Sequence, residues 1–99
     1  MVIYHVKPGK EAELQDVLAR AWEVYQKNHM VLTQPHVIVR DKGPVGETRF
    51  VEIFTWVSHS VPQRPPDAVK KLWDQMQSLC VPQNGRGGLE GGEVELLVP

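Results

Sequence analysis

The sequence predicts a single α+β domain over residues 1–99, in which two helices cover one face of a four-stranded antiparallel sheet. Three observations support this prediction. Short β-branched segments occur beside two longer segments of helical periodicity, Gly and Pro separate most of them, and their order is β, α, β, β, α, β. A length of 99 residues suits one compact domain with a modest core.

The spacing of apolar residues predicts the first strand and the first helix. In residues 2–7 apolar side chains alternate, as in a strand, and Pro8-Gly9 ends the pattern. Residues 11–28 show helical spacing, with charged residues opposite the apolar stripe. The stripe consists of Leu14, Val17, Leu18, Ala21, Trp22 and Tyr25. Acidic residues in the first turn and Lys27 near the end agree with the helix dipole.

Residues 36–40 and 49–57 are rich in β-branched and aromatic residues, which predicts two further strands. Between them, residues 41–47 contain Gly43-Pro44 and Gly46, and their number suits an antiparallel hairpin loop. Residues 58–66 hold three prolines. Because proline has no N–H donor for a ladder, this segment is predicted to be a connector.

The last third of the chain predicts a helix, a loop and a strand. Pro66-Asp67 is a favourable helix start. The apolar stripe that follows consists of Val69, Leu72, Trp73, Met76, Leu79 and Cys80. Residues 83–92 contain five glycines and predict a flexible loop, with a flap over a pocket as the alternative. Residues 93–98 alternate again and predict the final strand, which completes a ferredoxin-like domain.

The third predicted strand is apolar on both sides. Val51 and Ile53 point one way, whereas Phe50, Phe54 and Trp56 make the other side aromatic. Two helices cover one face of a four-stranded sheet, so we expect the aromatic face to need a second cover. A second copy of the chain is the simplest cover. The sequence therefore predicts a homodimer in which two sheets pack face to face as a dimeric α/β barrel.

Two segments carry a resemblance to a known family. Residues 3–14, IYHVKPGKEAEL, resemble the opening strand, Pro-Gly turn and long helix of the antibiotic biosynthesis monooxygenase-like family. Residues 49–56, RFVEIFTW, resemble its central strand, and Leu72-Trp73 fits its second helix. The resemblance implies a dimeric α/β barrel with a pocket between sheet and helices. In some members it implies cofactor-free oxidation of aromatic polyketides, and in others oxidative breakdown of haem.

The haem-degrading pattern is not matched here, since His5 stands where an early-strand Asn is expected and the second predicted helix has no His. Two residues are candidate catalytic groups. Glu52 shares the aromatic side of its strand, and a carboxylate removed from water is a stronger proton acceptor. A salt bridge to Arg40 or Arg49 across the dimer interface is the alternative. His5 is the second candidate base, with a hydrogen-bonded structural histidine as the alternative.

Four aromatic residues are candidate substrate-binding groups for a flat apolar molecule: Trp56, Phe54, Trp22 and Trp73. For Trp22 and Trp73 packing in the core is the alternative. The leading hypothesis is oxidation of a hydrophobic aromatic substrate without a bound cofactor. A non-catalytic module for ligand binding or assembly is the alternative.

Composition argues against several other classes. Eleven Lys plus Arg against twelve Asp plus Glu leave a net charge of -1, which disfavours nucleic acid as a partner. The four histidines lack metal-ligand spacing, and the single cysteine, Cys80, is predicted to be a buried apolar side chain. No apolar run has the length of a membrane span. We expect a cytoplasmic protein, and export with a trimmed leader is left open.

Overall fold

The computed structural model describes residues 1–83 and 87–92, and it has the predicted α+β fold. The elements in chain order are β1 (Val2–His5), α1 (Glu11–Lys27), β2 (Val37–Lys42), β3 (Thr48–Ile53), α2 (Asp67–Ser78) and β4 (Leu89–Gly91). The strands form one antiparallel sheet in the spatial order β2-β3-β1-β4. This order is the ferredoxin-like arrangement, so the predicted fold class is confirmed.

Two strand boundaries differ from the prediction. β4 lies inside the glycine-rich stretch that we predicted to be a loop, and it pairs with the edge of β1 through Tyr4 and Leu89. The predicted strand at residues 93–98 lies outside the described residues. β3 ends at Ile53, whereas we extended it to residue 57. Trp56 instead forms an isolated antiparallel bridge with Val31, outside the sheet strands.

The core lies between the helices and one face of the sheet. α1 buries the apolar stripe that its periodicity predicts, and α2 contributes Val69 and Met76. Tyr4 and Phe50 meet these side chains from the sheet. Cys80 is 1% exposed at the end of the same core, and this confirms its prediction as a buried apolar side chain. Within the described residues no helix is long and apolar enough to cross a membrane.

The helices cover the aromatic face of the sheet. The register places Tyr4 opposite Phe50 and Val2 opposite Glu52, so these side chains share one side. Phe50 and Glu52 are buried there, at 3% and 2% exposure. We predicted that this face would lack helices and face a second copy, and that prediction was wrong. The helices cover this face because Tyr25 of α1 packs on the rings of Phe54 and Trp56, which follow β3.

The opposite face of the sheet is apolar as well, but it is aliphatic. We call it the aliphatic face, and its residues are Ile3, Val37, Val39, Val51 and Ile53. Val37 and Val39 are 45% and 47% exposed, and the other three are partly buried. A sheet with two apolar faces is therefore confirmed, with the two faces exchanged relative to the prediction.

Candidate functional site

Aromatic side chains line a cleft between the sheet and the helices, which we call the aromatic cleft. β1 supplies Tyr4, α1 supplies Tyr25, α2 supplies Trp73, and the segment after β3 supplies Phe54 and Trp56. Its volume is about 190 Å³. An apolar cavity of about 150 Å³ holds a benzene molecule. The aromatic cleft therefore has room for one substituted aromatic ring.

Ring contacts hold the walls of the cleft in place. Trp56 meets Phe54 at a centroid distance of 4.8 Å and an interplanar angle of 83°. It meets Tyr25 at 5.2 Å and Trp73 at 6.3 Å, also edge to face. These geometries favour the contact of a positive ring edge with a negative ring face. Trp56 is thus packed against both helices and is pre-organised for a ligand.

The hydroxyl of Tyr25 is a polar group in the cleft wall. The indole Nε1 of Trp73 donates a hydrogen bond to it over 2.7 Å. Burial raises the pKa of Tyr25 to about 12; the Trp73 hydrogen bond works against this rise, and the Glu52 carboxylate adds to it. The hydroxyl therefore stays protonated at neutral pH. Its own proton has no acceptor within residues 1–83 and 87–92, so it is available to a ligand.

Glu52 lies behind the cleft wall and is held by two side chains. The Tyr4 hydroxyl donates to Oε1 of Glu52 over 2.7 Å, and Nε2 of His36 lies 2.9 Å from Oε2. Burial, followed by the Glu52 carboxylate, raises the pKa of Tyr4 well above its usual value, so Tyr4 remains a neutral donor. An ionised carboxylate accepts hydrogen bonds and cannot donate them, so Nε2 of His36 then carries the proton. We call these three residues the Glu52 network.

The network extends from the cleft wall to the protein surface. Tyr4 lines the cleft, Glu52 is 2% exposed, and the side chain of His36 is 21% exposed. The imidazole of His36 stacks on the indole of Trp22, with ring centroids 3.6 Å apart and planes 7° from parallel. This stack fixes the plane of the imidazole and so its direction toward Glu52.

Within the described residues of one copy, neither Arg40 nor Arg49 pairs with Glu52, and a salt bridge between two copies stays a prediction. The Arg40 guanidinium lies 5.6 Å from the centroid of the Phe50 ring. Arg49 instead donates two hydrogen bonds to Asp41, at 2.9 and 2.7 Å. This pair lowers the pKa of Asp41 through the hydrogen bonds from Arg49. The two arginines therefore leave Glu52 to Tyr4 and His36.

The structure brings three of the four predicted substrate-binding residues together. Trp56, Phe54 and Trp73 line the aromatic cleft. Trp22 touches Phe54 edge to face at 6.0 Å, but it stacks on His36 and is not part of the cleft wall.

The two predicted catalytic residues lie on opposite faces of the sheet. Glu52 is on the helix-covered side, whereas His5 shares the side of Ile3. Nε2 of His5 lies 2.9 Å from Oε2 of Glu90, and its buried Nδ1 has no hydrogen-bond partner within the described residues. His5 and Glu52 therefore do not form one site in a single copy of the chain.

Sequence reasoning missed Tyr4, Tyr25 and His36 as site residues. Tyr4 and Tyr25 were assigned to their apolar stripes, and their positions on those stripes are correct. The available signal was that each carries a hydroxyl that burial forces to find a partner. His36 directly precedes β2, and nothing in the local sequence connects it to Glu52, which is 16 residues away.

Compared with known proteins, the chain matches no family model, no curated protein and no solved structure. The resemblance to antibiotic biosynthesis monooxygenases therefore stays a prediction. In the described part of the chain, no three His, Cys, Asp or Glu side chains cluster to hold a metal ion.

Proposed function

We propose that the protein binds a small, flat aromatic molecule with an oxygen substituent in the aromatic cleft. The observation that carries this proposal is the set of five aromatic side chains around one cavity of about 190 Å³. Apolar, aromatic walls with a few convergent polar groups are typical of small-molecule sites. The Tyr25 hydroxyl supplies such a polar group, and an oxygen on the ligand would accept its proton.

The lining of the cleft also supports an uncharged ligand. Among the residues that the structure describes, none of the lining side chains carries a charge. Moving an ion from water into such surroundings is costly without a partner, and an anion would be repelled as long as Glu52 is ionised, so the ligand should enter the cleft in its neutral form. Phenols, quinols and small aromatic ketones meet these requirements.

Binding of p-cresol tests this proposal, with 4-methylcyclohexanol as a probe of similar size that lacks a flat ring. We expect the wild-type protein to prefer p-cresol in isothermal titration calorimetry. Trp56→Ala should weaken p-cresol binding by about fivefold, since one aromatic contact contributes about 1 kcal/mol. Leu32→Ala is the control, because Leu32 is 48% exposed and lies outside the cleft. Equal affinity for both probes, or full affinity in Trp56→Ala, would contradict the proposal.

Oxidation of the bound ring without a cofactor is the second candidate function, and the Glu52 network favours it. Such a reaction needs a base, a dry pocket and a substrate that itself gives electrons to dioxygen. A hydroquinone would lose two electrons and two protons and become a quinone, while dioxygen becomes hydrogen peroxide.

This reaction is tested by oxygen consumption with hydroquinone in metal-free buffer, after subtraction of the uncatalysed rate. Glu52→Gln should slow the protein-dependent rate by about a hundredfold, the usual contribution of a general base. Glu90→Gln should keep the rate, because Glu90 lies on the other face of the sheet. No protein-dependent uptake would leave the binding function as the sole candidate.

We also propose a homodimer that buries the aliphatic face. Five apolar side chains from three adjacent strands form this face, and Val37 and Val39 are nearly half exposed. Exposed patches of this kind mark interaction surfaces. The pairs Asp41 with Arg49 and His5 with Glu90 lie on the same side and carry both signs of charge. Two copies related by a twofold axis can therefore meet without a like-charged surface, which favours a second copy as the partner.

A further inference from the structure

We infer that the Glu52 network removes a proton from a hydroxyl group of the ligand, with Tyr4 as the carrier and Glu52 as the final acceptor. This inference rests on the proposed function, because it needs a hydroxyl-bearing ring in the aromatic cleft. It adds the class of ligand, a phenol or quinol, and the route that its proton takes.

The transfer is balanced in atoms and charge. The O–H bond of the ligand breaks as a new O–H bond forms on the Tyr4 oxygen. In the same step the original O–H bond of Tyr4 breaks, and its proton forms a bond with Oε1 of Glu52. Tyr4 is regenerated, Glu52 becomes neutral, and the negative charge stays on the ligand oxygen.

Burial makes the relay through Tyr4 necessary. Glu52 is 2% exposed and is not part of the cleft wall, so a ligand in the cleft meets Tyr4 first. The Tyr4 hydroxyl lies 2.7 Å from Oε1 of Glu52, an ordinary distance for an O–H···O hydrogen bond along which a proton can move. Its oxygen keeps a lone pair that can accept a proton from the ligand while its own proton moves on.

His36 acts as a positioning residue in this scheme. By donating to Oε2 it holds the carboxylate so that Oε1 faces Tyr4, and its stack on Trp22 holds the imidazole in turn. Within residues 1–83 and 87–92, the titratable groups that face Glu52 are Tyr4 from β1, His36 before β2 and Tyr25 from α1. Tyr25 stays neutral and can stabilise the ligand oxyanion by donating its free proton.

The probe for this inference is 4-nitrophenol, whose ionised and neutral forms have different absorption bands. It is bound to the wild-type protein in a buffer in which the free probe is mostly neutral. We expect the ratio of ionised to neutral probe to be about tenfold higher when bound than when free. Glu52→Gln keeps the shape of the side chain and an acceptor for Tyr4, and Tyr4→Phe removes the carrier. Both variants should bind the probe and leave it neutral.

Two further variants make the test specific. Glu90→Gln is the matched control, since Glu90 is also a carboxylate 2.9 Å from a histidine, but it lies on the opposite face. It should ionise the probe like the wild type. His36→Phe keeps a ring to stack on Trp22 and removes the donor, so the ionised fraction should fall while the probe stays bound.

The possible outcomes distinguish a failure of the proton relay from a failure of the proposed binding function. A probe that binds and stays neutral in the wild type would overturn the relay and leave the binding function standing. If electrostatic stabilisation by Tyr25 alone ionised the probe, Glu52→Gln would raise the ionised fraction, because it removes a negative charge; that result would also overturn the relay. Failure of the wild-type protein to bind the probe would overturn both.

Discussion

The Val39→Glu variant is expected to be monomeric at concentrations at which the wild-type protein is a homodimer. Val39 lies in the middle of β2 on the aliphatic face and is 47% exposed in one copy. In the proposed dimer its side chain is buried, and a twofold axis would bring two new carboxylates into the same interface. Burying an unpaired charge costs several kcal/mol, so we expect the dissociation constant to rise by at least about a hundredfold.

Sedimentation velocity over a range of concentrations measures this change. Val45→Glu is the matched control, because it makes the same substitution at an 89% exposed valine in the loop between β2 and β3. The control should dimerise like the wild type, and both variants should keep the wild-type circular dichroism spectrum. A wild-type protein that sediments as a monomer at every concentration would contradict the proposed dimer.

Stability is expected to fall steeply in alkaline solution because buried neutral acids ionise when the chain unfolds. Burial raises the pKa of Cys80 from 9.0 to about 11 and that of Tyr25 from 10.0 to about 12. At pH values below the ordinary pKa values of these groups, the folded and the unfolded chain both hold these protons. As pH rises above them, the unfolded chain loses a proton that the folded chain retains, so unfolding becomes more favourable.

The expected loss is large for a domain of this size. Each group lowers the free energy of unfolding by up to about 1.4 kcal/mol per pH unit within its window, or roughly 5 kcal/mol for the two groups together. Total stability of a small domain is about 5–15 kcal/mol. The raised pKa of Tyr4 acts in the same direction at still higher pH.

Urea denaturation at a series of alkaline pH values measures this loss. Cys80→Ala and Tyr25→Phe should each make the slope of the free energy of unfolding against pH shallower by the contribution of one proton. This change is expected in the pH range between the ordinary and the raised pKa of the group that the variant removes. The slope is informative even where a variant is less stable at every pH. A slope that neither variant changes would contradict the assignment of the alkaline loss to these two residues.

The segment order and most element positions could be predicted from the sequence. The stripe from Leu14 to Tyr25 is local information, because side chains three and four residues apart meet on one side of a helix. Phe50 and Glu52 share one side of β3 for the equally local reason that a strand alternates, whereas Phe54 and Trp56 follow the end of β3. β4 was not predicted, because its three residues have no apolar pattern of their own. They form a strand only by pairing with β1.

The candidate site could be predicted in part. Phe54, Trp56 and Trp73 were selected as large aromatic side chains near apolar stripes, and they do meet in the cleft. The partners of Glu52 could not be predicted, since Tyr4 is 48 residues away and His36 is 16 residues away. Both contacts depend on the register of β1 against β3 and on the path of the chain into β2.

By itself, the sequence determined that this protein has two amphipathic helices and a sheet that is apolar on both sides, because periodicity is set by bond geometry along the chain. Tertiary structure alone decided which apolar side the helices cover, and with it which residues form the aromatic cleft and which form the aliphatic face. The physical reason is that burial of either apolar face would stabilise the folded chain, so the sequence pattern does not distinguish them. Strand register and the packing of Tyr25 against Trp56 select the aromatic face.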